Sequence, residues 1–273
     1  DEDCLKCHES GKFAVSRSDL ASSSHAKINC IKCHSNVSTV SPDRARPCET
    51  VGKVDCSSCH EKQGEDYAES IHGQLHSIKD PDAPSCTDCH GKHDVLPKLA
   101  EKSPIFRRNI PDLCGTCHLT GMKASRRIGS DTMDLVQKFK MSIHGKGLLI
   151  SGLISSAVCT DCHTSHREQP AKDERSSVNK KNVALTCGKC HMGVYKQFSK
   201  SIHGSVNAKA DKKLPACPDC HTAHEIGRTD KPKFILEISH QCGICHKDVG
   251  DTYLQNYHGK AYTLGSLKTA KCS

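Results

Sequence analysis

One pentapeptide recurs along the chain and constrains its structure more than any other feature. Eighteen of the twenty cysteines fall in the motif C-x-x-C-H, which occurs nine times in 273 residues. A random chain rich in Cys and His would contain about 0.1 copies of this motif, so the repeat is not a chance pattern. The motifs are Cys4, Cys7 and His8; Cys30, Cys33 and His34; Cys56, Cys59 and His60; Cys86, Cys89 and His90; Cys114, Cys117 and His118; Cys159, Cys162 and His163; Cys187, Cys190 and His191; Cys217, Cys220 and His221; and Cys242, Cys245 and His246.

The spacing within the motif has a chemical reason. Two thiols three residues apart reach the two vinyl-derived carbons of one haem as thioethers, and the adjacent histidine delivers its imidazole to the iron. Zinc ribbons need no histidine after the second cysteine, and thioredoxin-like redox pairs occur once in a βαβ unit. The sequence therefore predicts nine covalently attached haem c groups, held by the motif cysteines and ligated by the motif histidines.

The composition agrees with an interior built from cofactors. The chain is 35% hydrophobic including its cysteines, contains no Trp, and has only five Phe and five Tyr. At about 30 residues per haem, the macrocycles themselves would form much of the core. Haem propionates would then neutralise most of the net charge of +8. Lys and Arg are scattered and aromatic residues are few, which argues against a nucleic-acid partner.

Membrane and targeting signals are not visible in the sequence. No run of 18 apolar residues occurs, and no charged-then-apolar leader precedes Asp1. We therefore expect no membrane-spanning segment in this chain, which would be a mature or trimmed form.

Ten further histidines nearly match the nine expected haems. A lone histidine is usually structural or solvated, but ten spare imidazoles predict sixth ligands to the irons. Because every iron could then find two imidazoles, we expect low-spin iron that scarcely binds carbon monoxide. These residues are His25, His72, His76, His93, His144, His166, His203, His224, His240 and His258.

Three of them, His93, His166 and His224, follow a motif histidine by three residues, and we call them the trailing histidines. On a helix, positions i and i+3 share a face about 5 Å apart, so both imidazoles could not approach one iron from opposite sides. We therefore expect each trailing histidine to ligate the haem of the preceding motif. Those motifs begin at Cys56, Cys114 and Cys187, respectively.

Four others, which we call the turn histidines, lie in Ser-Ile-His-Gly or Asn-Tyr-His-Gly sequences with an aromatic residue five positions earlier. This pattern predicts a short helix whose last turn presents the imidazole and whose end is marked by the glycine as C-cap. We expect each to ligate the motif that follows it in the sequence. The turn histidines are His72, His144, His203 and His258.

Two cysteines, Cys48 and Cys272, lie outside the motifs. From His72, His203 and His258 the next cysteine is fourteen residues on, so Cys272 stands where a tenth motif is expected to begin. The repeat therefore predicts a possible tenth haem and a chain cut within a repeat. The alternative is a disulfide between Cys48 and Cys272 in an oxidising compartment.

The motifs occur in pairs, and the second member of three pairs reads C-x-D-C-H-x-x-H, from Cys86, Cys159 and Cys217. This arrangement resembles the doubled-motif multihaem cytochromes c. The first pair departs from the pattern, because Asn36 and Val37 follow His34 where a trailing histidine would fall, which leaves its ligand to His25 or a distant residue such as His76. The resemblance covers nearly the whole chain as the pairs 1–50, 51–108, 109–180, 181–236 and 237–273.

The resemblance implies a mostly α and irregular fold, in which short helices and loops wrap round a stacked haem chain with little or no β-sheet. It also implies export through a secretion signal, a periplasmic or extracellular location, and electron transfer rather than enzymatic catalysis. We expect an N-terminal region, 1–108, with haems 1–4. A C-terminal region, 109–273, would hold haems 5–9 and the truncated tenth motif at Cys272.

The expected partners are redox proteins or a quinol-oxidising membrane complex, joined by one continuous chain of haems. One alternative is a multihaem reductase for nitrite, hydroxylamine or a sulfur oxyanion, which needs a haem with an open distal position. Another is a homo-oligomer or extracellular cytochrome filament, in which a surplus histidine ligates a neighbour's haem. Nine motifs that all carry histidine, with ten spare imidazoles, favour the electron carrier.

Overall fold

Short helices joined by irregular segments make up the fold. The computed structural model describes residues 2–35, 37, 52–128, 134–204 and 214–272. Within these ranges there is no β-strand, which confirms the expectation of a mostly helical and irregular fold. No helix in the described part of the chain is both long enough and apolar enough to cross a membrane.

The chain divides into two compact units. The first unit consists of Asp1–Thr116 together with Thr164–Gln169, and the second of Cys117–His163 together with Pro170–Ser273. The division expected between residues 108 and 109 concerns the distribution of haems and stays a prediction.

The helices of the first unit are mostly one or two turns long. A 3₁₀ turn at Cys56–Ser58 lies between the third and fourth helix. The helices are α1 (Glu2–His8), α2 (Arg17–Ser22), α3 (Cys30–Cys33), α4 (Glu61–Glu69), α5 (Ile71–Ser77), α6 (Cys86–His90) and α7 (Ile110–His118), the last of which continues to the boundary with the second unit.

The second unit contains the longest helix in the described residues, α15, of 14 residues. Its helices are α8 (Ser125–Ile128), α9 (Leu135–Met141), α10 (Ile143–Leu149), α11 (Cys159–His163), α12 (Val183–Gly188), α13 (Met192–Lys200), α14 (Cys217–His221), α15 (Pro232–Cys245), α16 (Lys247–Gln255) and α17 (Tyr257–Thr263).

The polypeptide buries little apolar surface by itself. Large side chains such as Ile78, Ile202 and Leu264 are more than 70% exposed. In the described residues, the buried hydrophobic side chains are Leu5, Ile110, Val136, Leu148, Val158, Val183, Ala216 and Tyr262.

Successive helices are interrupted at a single polar residue just before a turn histidine. Ser70 is at once the C-cap of α4 and the N-cap of α5: its Oγ donates to the Tyr67 carbonyl oxygen (2.7 Å) and accepts from the Gly73 N–H (3.0 Å). Ser142 makes the same two bonds between α9 and α10. Asn256 caps α17 in the same way through its Oδ1. The helix break is therefore a repeated element, built on the preference of Ser and Asn for N-caps.

This break corrects the expected role of the glycine. Gly73, Gly145 and Gly259 lie in the first turn of the second helix rather than at the C-cap of the first. A Cβ at Gly145 would lie 2.1 Å from the Phe139 carbonyl oxygen, and a Cβ at Gly259 would lie 2.0 Å from the Tyr253 carbonyl oxygen. The expectation was wrong because close approach of two helix ends, and not backbone conformation, requires the glycine.

The glycine requirement predicts the outcome of two matched substitutions. Gly145→Ala should destabilise the protein by about 1–3 kcal/mol, because the new methyl group cannot fit between the two helices. Gly193→Ala is the control, since the equivalent Cβ in α13 meets no atom within 4 Å. Denaturant unfolding followed by circular dichroism measures both effects. Equal stabilities of the two variants would contradict the close-approach argument.

Candidate haem-binding sites

In the second motif of three pairs, one short helix carries all three motif residues. Helices α6, α11 and α14 begin at the first cysteine and end at the histidine. The aspartate of C-x-D-C-H accepts a hydrogen bond at 2.6–2.8 Å from the backbone N–H three residues earlier, where a capping carboxylate stabilises the helix start. Sequence analysis did not predict this role, although Ser85 and Asp88 form a capping box. The bonds join Ser85 to Asp88, Val158 to Asp161 and Ala216 to Asp219.

The chain turns sharply after each of these histidines. The next residue has a positive φ: +82° at Gly91, +71° at Thr164 and +63° at Thr222. A β-branched residue rarely adopts this conformation, so Thr164 and Thr222 hold local backbone strain. The sequence pattern predicted that the trailing histidine lies on the same helical face as the motif histidine. It does not, because the helix ends at the motif histidine.

Six pairs of histidine rings face each other across a narrow range of distances. In every pair the ring centroids are 5.9–6.2 Å apart, and one ring belongs to a motif while the other does not. The angle between the ring planes ranges from 7° to 60°. The pairs are His25–His60, His34–His93, His90–His166, His144–His191, His163–His224 and His203–His246.

This combination of a constant distance and a variable angle matches two imidazoles that bind one metal ion from opposite sides. A metal–imidazole bond is about 2 Å long and the ring centroid lies about 1 Å behind the nitrogen, which places two opposed centroids about 6 Å apart. Rotation of each ring about the nitrogen–metal axis leaves that distance unchanged. The residues therefore fit a bis-histidine iron.

The trailing histidines face different partners from those expected. His93 lies opposite His34, His166 opposite His90, and His224 opposite His163. Each partner is the second motif histidine of the preceding pair, one motif further back than the sequence analysis proposed. The first pair, which lacks its own trailing histidine, receives His93 rather than His25 or His76.

Two of the four turn histidines also skip one motif. His144 faces His191 and His203 faces His246, so each serves the first motif of the next pair instead of the motif that follows directly. The expected partner of His144 was His163, which is already opposed by His224. The expectation was wrong because these turn histidines face the first motifs of pairs, whereas the trailing histidines face the second motifs.

His25 behaves as another turn histidine, although its sequence hid the likeness. Ser23 Oγ accepts a hydrogen bond from the backbone N–H of His25 at 3.1 Å, and the His25 ring faces His60 at 6.0 Å. The serine two residues before the histidine was the one available signal, as it is in Ser70-Ile71-His72.

The other candidate ligands have varied surroundings. His72 Nδ1 is 3.8 Å from Glu168 Oε2, and the His76 ring lies 6.1 Å from that of Tyr67. His240 is exposed on α15, and His258 contacts the adjacent Tyr257 ring at 5.7 Å.

Three motif histidines are outside the six imidazole pairs. His8 Nδ1 lies 3.1 Å from the Phe13 carbonyl oxygen. The ring of His221 is parallel to that of Phe234 at 5.3 Å. His118 ends α7, and its burial lowers its pKa.

Cysteines of successive motifs are also neighbours. Burial raises the pKa of Cys56, and the adjacent thiol of Cys86, the first cysteine of the next motif, raises it further. The first cysteines of two successive motifs are also close to each other at Cys4 and Cys30 and at Cys187 and Cys217. Cys242 is close to Cys272 in the same way.

A second kind of contact joins one pair of motifs to the next. The second motif of a pair contributes a cysteine beside the following pair, as at Cys33 with Cys56, Cys162 with Cys190, and Cys220 with Cys242. No disulfide joins two of the described cysteines, and Cys48, the proposed partner of Cys272, lies outside the described residues.

The first and second cysteines of the motifs differ in exposure. Among the first cysteines, Cys86 is exposed and the other eight are half-buried. The second cysteines are more often at the surface of the polypeptide. They are exposed at Cys7, Cys33, Cys59, Cys190 and Cys245, and half-buried at Cys89, Cys117, Cys162 and Cys220.

Cys7, Cys59 and Cys89, like the other motif cysteines, were predicted to bind haem, and the described polypeptide forms no separate metal centre around them. Within the described ranges, no group of three or more His, Cys, Asp or Glu side chains could hold a metal ion. Cys7 and Cys59 are exposed, whereas Cys89 is half-buried near Tyr67. Burial raises the pKa of Tyr67 to about 12, and the nearby thiols of Cys86 and Cys89 add to the effect.

The absence of further metal-binding side chains around these cysteines follows from the kind of bond that a motif cysteine would make. A thioether joins the sulfur to a carbon of the macrocycle and not to the iron, so the cysteine needs no other metal-binding side chain beside it. An exposed sulfur, as in Cys7 or Cys59, remains accessible for such a bond. Attachment of haem at Cys7, Cys59 and Cys89 therefore stays a prediction.

Burial keeps several of the facing imidazoles neutral, which is the form that binds a metal. It lowers the pKa of His163 from 6.5 to about 4, with His224 and His118 adding to the effect. It also lowers the pKa of His90, His144 and His224.

The chain matches no protein-family model, and no solved structure matches it.

The buried histidines predict an acid-sensitive fold. A histidine whose folded pKa is lowered stabilises the folded state fully above its unfolded pKa of 6.5, and that contribution is lost as the pH falls. For His163 the loss should span pH 6.5 to about 4, and coordination to iron, which also needs the neutral imidazole, would act in the same direction. Denaturant unfolding at several pH values in this window measures it. A protein that became more stable on acidification would contradict the prediction.

Proposed function

We propose that this chain is a multihaem c-type cytochrome that carries electrons between redox partners outside the cytoplasm. The observation that carries the proposal is the set of six imidazole pairs at 5.9–6.2 Å, each of which joins a motif histidine to a non-motif histidine. When bound, haem supplies a one-electron couple between ferric and ferrous iron.

The motif residues would hold nine haems covalently. In each motif the two cysteines would form the thioethers and the histidine would be the proximal ligand. The large apolar side chains that the polypeptide leaves exposed, such as Ile78, Ile202 and Leu264, support an interior completed by cofactors.

The facing histidines favour a carrier over a reductase. An iron with an imidazole on each side has no free coordination position for a substrate. Six of the nine motif histidines have such a partner. Electron exchange without substrate binding is the chemistry that this arrangement supports.

The cysteine contacts support a sequential path within each unit. In the first unit, Cys4, Cys30 and Cys33 lead by neighbouring side chains to Cys56 and Cys86. In the second unit, neighbours connect Cys162 to Cys187 and Cys217, and Cys220 to Cys242. Attachment points that adjoin in sequence order favour electron hopping between consecutive haems.

The location and the partners follow from the chemistry of attachment. Covalent haem c is formed outside the cytoplasm, so we propose a periplasmic or extracellular protein. Its partners would be other redox proteins or a quinol-oxidising membrane complex.

The haem content is the direct test of this proposal. The intact mass of the native protein, together with its iron content, should correspond to nine covalent haems per chain, because nine motifs provide both thioether cysteines and a ligand. The oxidised spectrum should be dominated by low-spin iron. Bound zinc, or a mass that corresponds to far fewer haems, would end the proposal.

The pairing of histidines predicts which substitutions open a haem. His25→Ala and His93→Ala should each create one additional carbon monoxide site, and the double variant should create two, because the two residues face different motif histidines. His76→Ala is the control and should add none, since His76 faces Tyr67. Carbon monoxide titration of the reduced protein counts the sites.

The wild-type protein sets the baseline for this count. It should bind no more than three molecules of carbon monoxide per chain, since six of the nine sites have two facing imidazoles. A double variant with only one new site would mean that His25 and His93 serve the same haem and that the proposed pairing is incorrect.

A further inference from the structure

We propose that Glu168 tunes one haem: its carboxylate faces His72 and lowers the reduction potential of the haem that His72 ligates. This inference rests on the proposed function, and it assigns one haem a lower potential than its counterparts at His25 and His144.

Three equivalent backbone contacts define the position of Glu168. The residue before the ligand histidine donates its backbone N–H to a carbonyl two residues after a trailing histidine. The donor–acceptor pairs are Ser24 to Val95 at 2.7 Å, Ile71 to Glu168 at 2.8 Å, and Ile143 to Ile226 at 2.8 Å. Val95, Glu168 and Ile226 therefore occupy the same place beside His25, His72 and His144.

The side chain at this place differs in only one of the three copies. It is aliphatic at Val95 and Ile226, but at residue 168 it is a carboxylate whose Oε2 lies 3.8 Å from His72 Nδ1. The side chain of Glu168 is 21% exposed and that of His72 30% exposed, so water screens the interaction only in part.

The residues on either side of Glu168 hold this segment in place through their own contacts. Arg167 forms ion pairs with Glu69 and Asp66. Gln169, which is buried, donates to the Glu69 carbonyl oxygen. Glu168 itself faces His72, whose imidazole carries a positive charge only when it is protonated.

A negative charge at this position acts on the iron through the ligand. When Nε2 of a histidine binds a metal, Nδ1 is the nitrogen that remains, and a carboxylate beside it increases the basicity of the imidazole. The ferric state carries one more positive charge than the ferrous state, so it gains more from both effects. One-electron reduction of that haem becomes harder, and its potential falls.

Burial raises the pKa of the Glu168 carboxyl group, so the test is a spectroelectrochemical titration of the holoprotein at mildly alkaline pH, which favours its ionised form. Glu168→Gln keeps the shape and removes the charge, and Glu168→Ile introduces the residue found at position 226. In both variants, one haem's share of the absorbance change should move to higher potential while the other eight haems stay in place. Glu174→Gln is the control for a lost surface charge, because its side chain is 74% exposed and pairs with Lys181.

Each outcome decides the inference. An unchanged curve in Glu168→Gln overturns it, and so does a shift in Glu168→Ile alone, which would show an effect of packing rather than charge. An equal shift in Glu174→Gln would show an effect of net charge and would also overturn it. Absence of covalent haem from the wild-type protein would instead refute the proposed function, so the two failures are distinguishable.

Discussion

Two imidazoles held about 6 Å apart by different segments of the chain are the interaction on which the rest of the structure depends. One ring of each pair follows a C-x-x-C segment, and in two of the six pairs an aspartate, Asp88 or Asp161, caps the helix that carries this segment. The other ring comes from a different repeat: His166 and His224, for example, follow a sharp turn, and His144 lies at the start of a serine-capped helix. Helices, helix caps and sharp turns therefore help to orient these imidazoles.

The thin protein core follows from the same constraint. A chain with about 30 residues for each motif cannot both bury a large apolar core and surround a macrocycle at every motif. The helices are accordingly short, and residues such as Leu264 and Ile202 are largely exposed to solvent. Two helix ends come close together beside a turn histidine, as at Gly145. There is no room for a methyl group at that position.

The sequence was sufficient to predict the helical fold class and to identify the candidate ligands, but not their register. His90 and His93 do face different imidazoles, but the helical geometry from which this was expected does not apply, because the helix ends at His90 and the chain turns at Gly91. The role of the glycine after each turn histidine was missed because its cause is a non-local contact. Aspartate caps such as Asp88 could have been found from the Ser-x-x-Asp pattern. The charge beside His72 could not, because only the folded chain brings residue 168 to residue 72.

The two classes of ligand make the repeats interdependent. Trailing histidines connect second motifs of successive pairs, as His93 does for His34, and turn histidines connect first motifs, as His203 does for His246. The pairs 109–180 and 181–236 thus each place one imidazole opposite the preceding pair and another opposite the following pair. In ordinary repeat proteins, a unit contacts its neighbours through packed surfaces in which a single residue can be replaced. Here the contact is an imidazole that faces a motif histidine of the neighbouring pair. If these rings ligate haem as proposed, a pair of motifs would complete its sites with ligands from the adjacent pairs, and folding would be coupled to cofactor attachment from one pair to the next.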